Sequence, residues 1–407
     1  MDASASWDGV GSGHEVAQGA GPSGSQPGWR RERSLLVRLV FLFALAALWS
    51  PAGWSMPESG NLLRIDQARE VWVGYGVRFG LLTIQTTAGT ARAQYLRVDT
   101  RLDGVRVRPV LAGPTLNARA TVGQLVRDHG ALAGVNGSFF SATGRPLGLL
   151  ILDGQLHSEP ILERTSLFLT RDRFGEPRWW IGPARFQGLV RGGAHTRPLA
   201  GVNRQASPGE LVVYTPLYGP EVSVGQGARA WAVLDGQVIQ AVLGEPLPIP
   251  ARGYVIVAGA EADAPWPLEP GIALEAVWGL AGDVLPGQVE WAVGGGPRLL
   301  REGQVQVTAE AERFQPDVAQ GRAPRTAAGV DERGRLILLT VNGRQASSVG
   351  LTLTELAHVM AFLGAQDALN LDGGGSSTIV LRGDLFNRPS DGRERPVGNA
   401  LLVFSDR

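Results

Sequence analysis

The residues best suited to chemistry lie in the stretch "ALNLDGGGSSTIVL", residues 368–381. An apolar run leads into a carboxylate, three glycines and two serines, which are Asp372, Gly373, Gly374, Gly375, Ser376 and Ser377. Consecutive glycines let a backbone adopt positive φ and turn several N–H groups toward one point, an arrangement that binds phosphate and other oxyanions. The stretch therefore predicts an anion-binding turn with Asp372 projecting into it. The alternative is a tight turn in which Asp372 caps its own backbone.

Three further pieces have residue types that suit a substrate site. In "GVNGSFF", Asn136 and Gly137 end another apolar run, where the amide could orient a substrate. In "GRAPRTAAGV", Arg325 and Thr326 could clamp a phosphate. The alternative is that the two arginines of this run, Arg322 and Arg325, are exposed to solvent and bind nothing. In "AGVNRQ", Asn203 stands at a third strand end. For the aromatics after Gly137, we expect a return to the core.

Composition excludes several kinds of chemistry. The 407-residue chain has no net charge, with 38 basic and 38 acidic residues, so nothing in its charge favours a nucleic-acid partner. It has no cysteine, which removes disulfides and thiolate chemistry. It has no lysine either, so any fixed positive charge in a site is arginine, a side chain suited to bidentate phosphate binding. The five histidines show no metal-ligand spacing. No cofactor is required on this basis, and a divalent cation remains an option.

The N-terminal part has the organisation of an exported protein. Residues 1–34 are rich in Gly, Ser and Ala and are expected to be disordered. Residues 35–56 contain an apolar run of about eleven residues after a basic flank, which is typical of a signal peptide or, as second choice, a membrane anchor. Residues 70–407 form the predicted folded domain. The protein is thus expected to be secreted or extracytoplasmic, with any membrane contact limited to that anchor.

Strand-like runs separated by Gly, Pro, Asp and Asn dominate from about residue 70. Two helices interrupt them, one beginning at Thr121 and one at Thr352, where Glu355 completes a capping box. Each helix precedes an apolar strand that ends in an Asn/Gly cluster, either as a faint internal repeat or as two ordinary αβ units. The sequence predicts an α+β fold, with strand-rich mixed sheets and a few short helices.

Taken in order, these motifs resemble those of the phosphodiester glycosidase family. The likeness extends over roughly residues 70 to 405 and is most specific in "GLTLTELAHVMAFLGAQDALNLDGGGSSTIVL", residues 350–381. It implies hydrolysis of a sugar-1-phosphodiester, with a cleft lined by Asn136–Gly137, Arg325–Thr326 and residues 372–377. Asn342 departs from the family pattern, because relatives frequently carry an acid there.

The resemblance and the residues together predict a secreted or surface hydrolase acting on a glycan or sugar-phosphodiester in cell-envelope or exopolysaccharide metabolism. A sugar–phosphate bond has a good leaving group, so one carboxylate, an arginine and a phosphate cradle would suffice. Asp372 is predicted to be the nucleophile, the general base or the holder of a cation, and Asn136 to position the sugar. Two alternatives use the same residues: a non-catalytic protein that binds anionic polysaccharide, and a cation-dependent phosphodiesterase.

Overall fold

The computed structural model of the chain describes residues 54–55, 63–67, 69–281 and 287–406. The predicted disordered segment 1–34 and nearly all of the predicted signal segment 35–56 lie outside these residues. Among the residues described, no helix is long and apolar enough to cross a membrane.

A ten-stranded antiparallel sheet, sheet A, carries the acidic turn at the end of one strand. Its longest hairpin joins two ten-residue strands, and buried side chains tend to alternate with more exposed ones along them. The central strands of sheet A are buried on both faces, and burial of the side chains fixes the register of the strands. The order across sheet A is β1 (Trp54–Ser55), β2 (Arg64–Gln67), β4 (Val77–Thr86), β5 (Gly89–Val98), β26 (Leu336–Val341), β25 (Arg325–Asp331), β27 (Ala365–Asn370), β23 (Arg298–Arg301) and β24 (Gln304–Val305), with β3 (Val71–Gly74) paired to β4.

The longest described helix covers one face of sheet A. Helix α3 (Leu353–Phe362) begins with the predicted capping box: Glu355 N–H donates to Thr352 Oγ1 at 3.2 Å, and Thr352 N–H donates to Glu355 Oε2 at 2.9 Å. Its apolar face, with Leu356 and Met360, lies in one core with the apolar side chains of β25, β26 and β27. Each buried Leu or Met stabilises the fold by about 1.5–3 kcal/mol, so this face holds the strand that leads to Asp372.

Sheet B supplies the second motif of the predicted site. Helix α1 (Val122–Asp128) packs against it, and the helix starts where the sequence predicts, since Thr121 Oγ1 accepts from Gln124 N–H at 3.1 Å. The order across sheet B is β29 (Asp384–Leu385), β28 (Ile379–Leu381), β7 (Ala133–Asn136), β30 (Asn399–Ser405) and β6 (Val105–Leu111). Because the chain passes from β27 to β28 through residues 371–378, the acidic turn connects sheets A and B.

Four smaller sheets build the rest of the described chain. One core is shared by sheets C, D and E, and a second core lies on the other face of sheet D, against sheet F. Sheet C is β11 (Pro177–Pro183), β10 (Thr165–Arg171), β22 (Gln288–Gly294), β8 (Leu150–Leu152) and β9 (Gln155–Ser158). Sheet D is β14 (Gly201–Val202), β15 (Leu211–Tyr214), β20 (Tyr254–Ala258), β17 (Arg229–Leu234) and β18 (Gln237–Leu243). Sheet E is β13 (His195–Pro198), β12 (Phe186–Gly192) and β21 (Glu275–Leu280), and sheet F is β16 (Glu221–Val222) and β19 (Leu247–Pro248).

The predicted α+β class is wrong, because the protein is mostly β. Strand accounts for 47% of the described residues and helix for 7%. Both predicted helices exist, but besides them the described residues add only the short α2 (Pro316–Ala319) and a 3₁₀ turn at Gly374–Ser376. The sheets are also antiparallel almost throughout, with one parallel pair, β14 and β15. Sheets packed on sheets, rather than helices, therefore cover most strand faces.

Candidate active site

Asp372 lies where sheets A and B meet, and its backbone is held by the second predicted motif. The Asp372 N–H donates to the Gly137 carbonyl at 3.3 Å, and the Asp372 carbonyl accepts from Asn136 Nδ2 at 2.7 Å. The carboxylate is half-buried and accepts the Gly373 N–H at 2.9 Å through Oδ1. Strands β7 and β27, each preceded by a helix, thus bring their polar ends together.

Burial changes the protonation of this carboxyl group. It raises the pKa of Asp372 to about 6, against smaller opposing effects from the Ser376 hydroxyl, the Gly373 N–H and Arg395. Desolvation disfavours the charged form, and nearby donors and cations offset only part of the penalty. A carboxyl group with a pKa near the working pH is suited to accepting and releasing a proton.

The Asn136 side chain is fully engaged in holding the site together. It is completely buried, and its Oδ1 accepts from Thr326 Oγ1 at 2.7 Å and from Thr378 N–H at 3.1 Å, while Nδ2 reaches the Asp372 carbonyl. These bonds tie β7, β25 and the acidic turn to one amide group. Asn136 and Thr326 are therefore positioning residues, and neither side chain is left free to bind a sugar or a phosphate.

The glycine turn is used differently from the prediction. The N–H of Gly373 bonds to Asp372, that of Gly374 to the Pro324 carbonyl at 2.9 Å, and those of Ser376 and Ser377 to carbonyls within the turn. These four amides are not available as an anion cradle. The glycines serve geometry instead. Gly374 has φ +60°, and a Cβ on Gly375 would collide with the ion pair of Arg395 and Asp391.

Hydroxyl groups of the same turn remain available for hydrogen bonding. Ser377 and Thr378 are buried, and their hydroxyl oxygens have no hydrogen-bond partner among the described residues. An unpaired buried hydroxyl costs about 1–3 kcal/mol, so such groups usually pair with a ligand or an ordered water. These two hydroxyls are therefore the polar groups of the turn that still lack a partner among the described residues.

Arg325 does not have the open guanidinium of a phosphate clamp. Its side chain is 3% exposed; Nε donates to the Leu351 carbonyl at 3.1 Å, and Nη2 donates to the carbonyls of Val318 and Gly321. Burial, with Arg344 as a second cause, lowers the pKa of Arg325 to about 10. Arg325 therefore fixes the segment that includes α2 and contributes positive charge to the site, but most of its donors are occupied.

A second arginine, which the sequence reasoning missed, is better placed for an anion. Arg344 is exposed, has φ +57°, and makes no side-chain hydrogen bond or ion pair with any described residue. A Cβ on Gly374 would lie 3.4 Å from its Nη1, so the guanidinium lies over the glycine turn. The available signal was the run "VNGRQ", which repeats the strand-end Asn–Gly pattern of Asn136.

Two asparagines singled out by the sequence have structural partners. Asn203 is buried and bonds through Nδ2 to the His157 carbonyl and to Thr215 Oγ1, both at 2.9 Å. It therefore belongs with sheets C and D, and the structure does not bring it to Asp372. Asn342 follows β26 of sheet A, and its Oδ1 accepts the Arg388 N–H at 3.1 Å. An aspartate at position 342 could accept the same bond.

Position 137 requires glycine because of Asn399, a residue that the sequence analysis did not single out. A Cβ there would collide with Asn399 Oδ1, which accepts the Ser138 N–H at 3.0 Å, while Asn399 Nδ2 donates to Ser138 Oγ at 2.7 Å. Asn399 thus shapes the loop beside Asp372.

As for metals, no group of three or more His, Asp or Glu side chains that could hold an ion occurs within the described ranges.

Solved structures share this fold. A hypothetical protein from Synechocystis aligns with a TM-score of 0.73 and 21% identity over 87% of this chain and 76% of its own. A protein from Burkholderia pseudomallei K96243 aligns with a TM-score of 0.71 and 23% identity over 87% of this chain and 99% of its own. The protein thus shares a mostly β fold with these two proteins.

A segment of the chain matches a known protein family. Residues 228–404 match the family described as phosphodiester glycosidase, and this match confirms the resemblance. The matched segment includes Arg325, Arg344 and Asp372. N-acetylglucosamine-1-phosphodiester alpha-N-acetylglucosaminidase of Bos taurus is 39% identical over 108 residues, 25% of this chain and 20% of that protein. The Mus musculus protein of the same name is 40% identical over 106 residues. The matched stretch spans about a fifth of the length of these relatives, and Asn136 lies outside the segment matched to the family.

Proposed function

We propose that the protein hydrolyses a sugar-1-phosphodiester and releases the free sugar and a phosphate monoester. The observation that carries this proposal is the half-buried Asp372, whose pKa burial raises to about 6, at a turn overhung by the unpaired Arg344. A proton acceptor beside an open guanidinium matches the two needs of this reaction. A non-catalytic binding protein would gain nothing from a desolvated carboxylate close to an anionic ligand.

The chemistry needs one carboxylate and one anion site. Ionised Asp372 removes a proton from water as the water oxygen forms a bond to the anomeric carbon. The bond from that carbon to the phosphate oxygen breaks, and the phosphate monoester leaves with the electron pair. Because the second pKa of a phosphate monoester is about 6, the leaving group needs little protonation, and a second carboxylic acid is less necessary than in ordinary glycosidases. Arg344 pairs with the phosphate and stabilises the developing charge.

The relatives supply a first substrate to try. Their name specifies an N-acetylglucosamine-1-phosphodiester, and we propose the same class for this protein. The signal-like segment 35–56 supports a proposal of export, and a role in cell-envelope or exopolysaccharide metabolism would follow if the substrate is a surface glycan.

The test is an assay of the full chain with N-acetylglucosamine 1-(methyl phosphate), in which free sugar and methyl phosphate are both measured. We expect the two products in equal amounts, with activity kept in a metal chelator. Asp372→Asn should lower kcat at least a hundredfold, the usual range for a lost general base. Arg344→Gln should raise KM about tenfold, because it removes charge from the anion site.

A matched control and three outcomes make the assay decisive. Asp235→Asn changes an exposed aspartate with φ +50°, a turn conformation that asparagine tolerates, so its activity should equal that of the wild type. A loss of less than tenfold in Asp372→Asn would rule out the assigned role. Saturable binding without cleavage would favour the polysaccharide-binding alternative. Cleavage of any phosphodiester, abolished by chelator, would favour the metal-dependent alternative.

A further inference from the structure

Three side chains form a stack beside the candidate active site. The Arg164 guanidinium lies 3.9 Å from the centroid of the Phe314 ring, and the Phe139 and Phe314 centroids are 5.7 Å apart at an interplanar angle of 46°. Arg164 is fixed by two further bonds, both at 3.1 Å, to the carbonyls of Glu312 and Arg313. The stack therefore has a fixed base at Arg164 and ends at the partly buried Phe139.

Two connections place the stack beside the loops that flank Asp372. Phe139 is two residues beyond Gly137, whose carbonyl accepts the Asp372 N–H. On the other side, a Cβ on Gly296 would lie 2.9 Å from the Phe314 ring. Gly296 is itself bonded to Asn370, the last residue of β27, through its N–H at 2.8 Å and its carbonyl at 3.0 Å. The aromatic pair thus lies across the gap between two loops that flank the acidic turn.

Phe139 and Phe140 pack against different parts of the protein. Phe140 packs against the core of sheet B, as the sequence predicted for both aromatics. Phe139 instead contacts Phe314, and like Phe140 it is only partly buried. Aromatic side chains commonly line ligand sites beside a few polar groups that fix orientation, so a partly exposed ring in the loop bonded to Asp372 can contact the apolar face of a ligand.

We propose that the Phe139 ring is the platform on which the sugar ring of the substrate stacks, with Phe314 and Arg164 as its support. This inference rests on the proposed function and names the part of the site that binds the sugar. One face of a pyranose carries C–H groups with slight positive charge, and an aromatic face carries negative charge, so the two surfaces attract each other. Arg344 then holds the phosphate and Phe139 the sugar, on either side of the bond that breaks when the water activated by Asp372 attacks.

The experiment measures equilibrium binding to the full chain, with N-acetylglucosamine and inorganic phosphate as separate probes. Phe139→Leu keeps apolar volume but loses the flat ring, and we expect it to weaken N-acetylglucosamine binding about tenfold. Phe139→Tyr keeps the ring and should bind within about twofold of the wild type. Phosphate affinity should be unchanged in both variants, because the anion site does not include Phe139.

The control is Phe174→Leu, which changes a ring that is 76% exposed in the turn between β10 and β11. It should leave the affinity for both probes unchanged. Equal N-acetylglucosamine affinity in Phe139→Leu and wild type would overturn the proposal. An equal loss of affinity for N-acetylglucosamine and for phosphate would also overturn it, because such a loss indicates a disturbed fold. Because binding needs no cleavage, a selective loss of sugar affinity would support the platform even if the hydrolysis assay failed.

Discussion

Asp372 is the residue at which stability and the proposed function conflict. Keeping a carboxylate half-buried disfavours its charged form, and the donors around it offset only part of that cost. The usual aspartate pKa is 3.8, and the pKa of Asp372 in the folded protein is about 6. This difference lowers the free energy of unfolding at neutral pH by up to about 3 kcal/mol. The folded state holds the proton more tightly, so stability falls as pH rises from about 4 to 6, and the full penalty applies above 6.

This linkage predicts opposite pH trends for activity and for stability. If ionised Asp372 is the base, kcat/KM should fall about tenfold per pH unit below pH 6 and reach a plateau above it. Asp372→Asn removes the ionisation, so it should be more stable than the wild type to urea at pH 7.5 by up to about 3 kcal/mol. At pH 4 that advantage should largely disappear. A wild-type rate that is flat from pH 5 to 8 would contradict the assignment.

At the scale of elements, one buried amide joins three strand ends. Asn136 stands at the end of β7, and its partners are Thr326 on β25, Asp372 after β27 and Thr378 before β28. Two helix–strand units end at this point, and they lie in different sheets that meet at their ends. The side chain that the sequence assigned to the sugar is in fact what sets the position of the carboxylate.

We therefore expect Asn136→Ala to be costly. It leaves the Thr378 N–H and the Asp372 carbonyl without partners in a buried place, and each such group costs about 1–3 kcal/mol. The free energy of unfolding in urea should fall by about 2–4 kcal/mol, with a loss of kcat. Asn117→Ala, an exposed position with two side-chain bonds, should change stability by less than about 1 kcal/mol. A similar fall in the free energy of unfolding in both variants would mean that the Asn136 side chain contributes no more to stability than the exposed Asn117 side chain.

At the scale of the whole molecule, Glu312 joins sheets A and C. It is 7% exposed and accepts from the Thr165 N–H at 3.0 Å, Thr165 Oγ1 at 2.6 Å and the Arg298 N–H at 2.9 Å, and also from Thr308 Oγ1. Thr165 starts β10 of sheet C, and Arg298 starts β23 of sheet A. A single charged group with four donors thus holds two sheets and the segment that carries Phe314.

Glu312→Gln should loosen this junction. The side-chain NH₂ group of the glutamine would replace one carboxylate oxygen and would face one of the hydrogen-bond donors that Glu312 now accepts from. We therefore expect the free energy of unfolding, measured in urea, to fall by about 2–4 kcal/mol. Glu310→Gln, two residues earlier and exposed, is the matched control and should change the free energy of unfolding by less than about 0.5 kcal/mol. If Glu312→Gln were as stable as Glu310→Gln, the junction would depend on other contacts.

The sequence alone determined the local features of this protein, because local features depend on neighbouring residues. The cap at Thr121, the capping box at Thr352 and the strand ending before Asp372 were readable from spacing, and the family was recognised from the resemblance of its motifs. The class was misjudged because two clear helices were given more weight than many short strands, whose pairing is set by partners far along the chain.

Only the tertiary structure decided which polar groups are already used. The sequence analysis chose Arg325 for the phosphate and passed over Arg344, yet carbonyls of the folded chain occupy Arg325 and leave Arg344 open. Asn203 and Asn136 both follow apolar strands, but their sheets take them to different places. Hydrogen-bond partners and burial arise from long-range packing, so the pKa of Asp372 and the free donors around it could not be read from spacing alone.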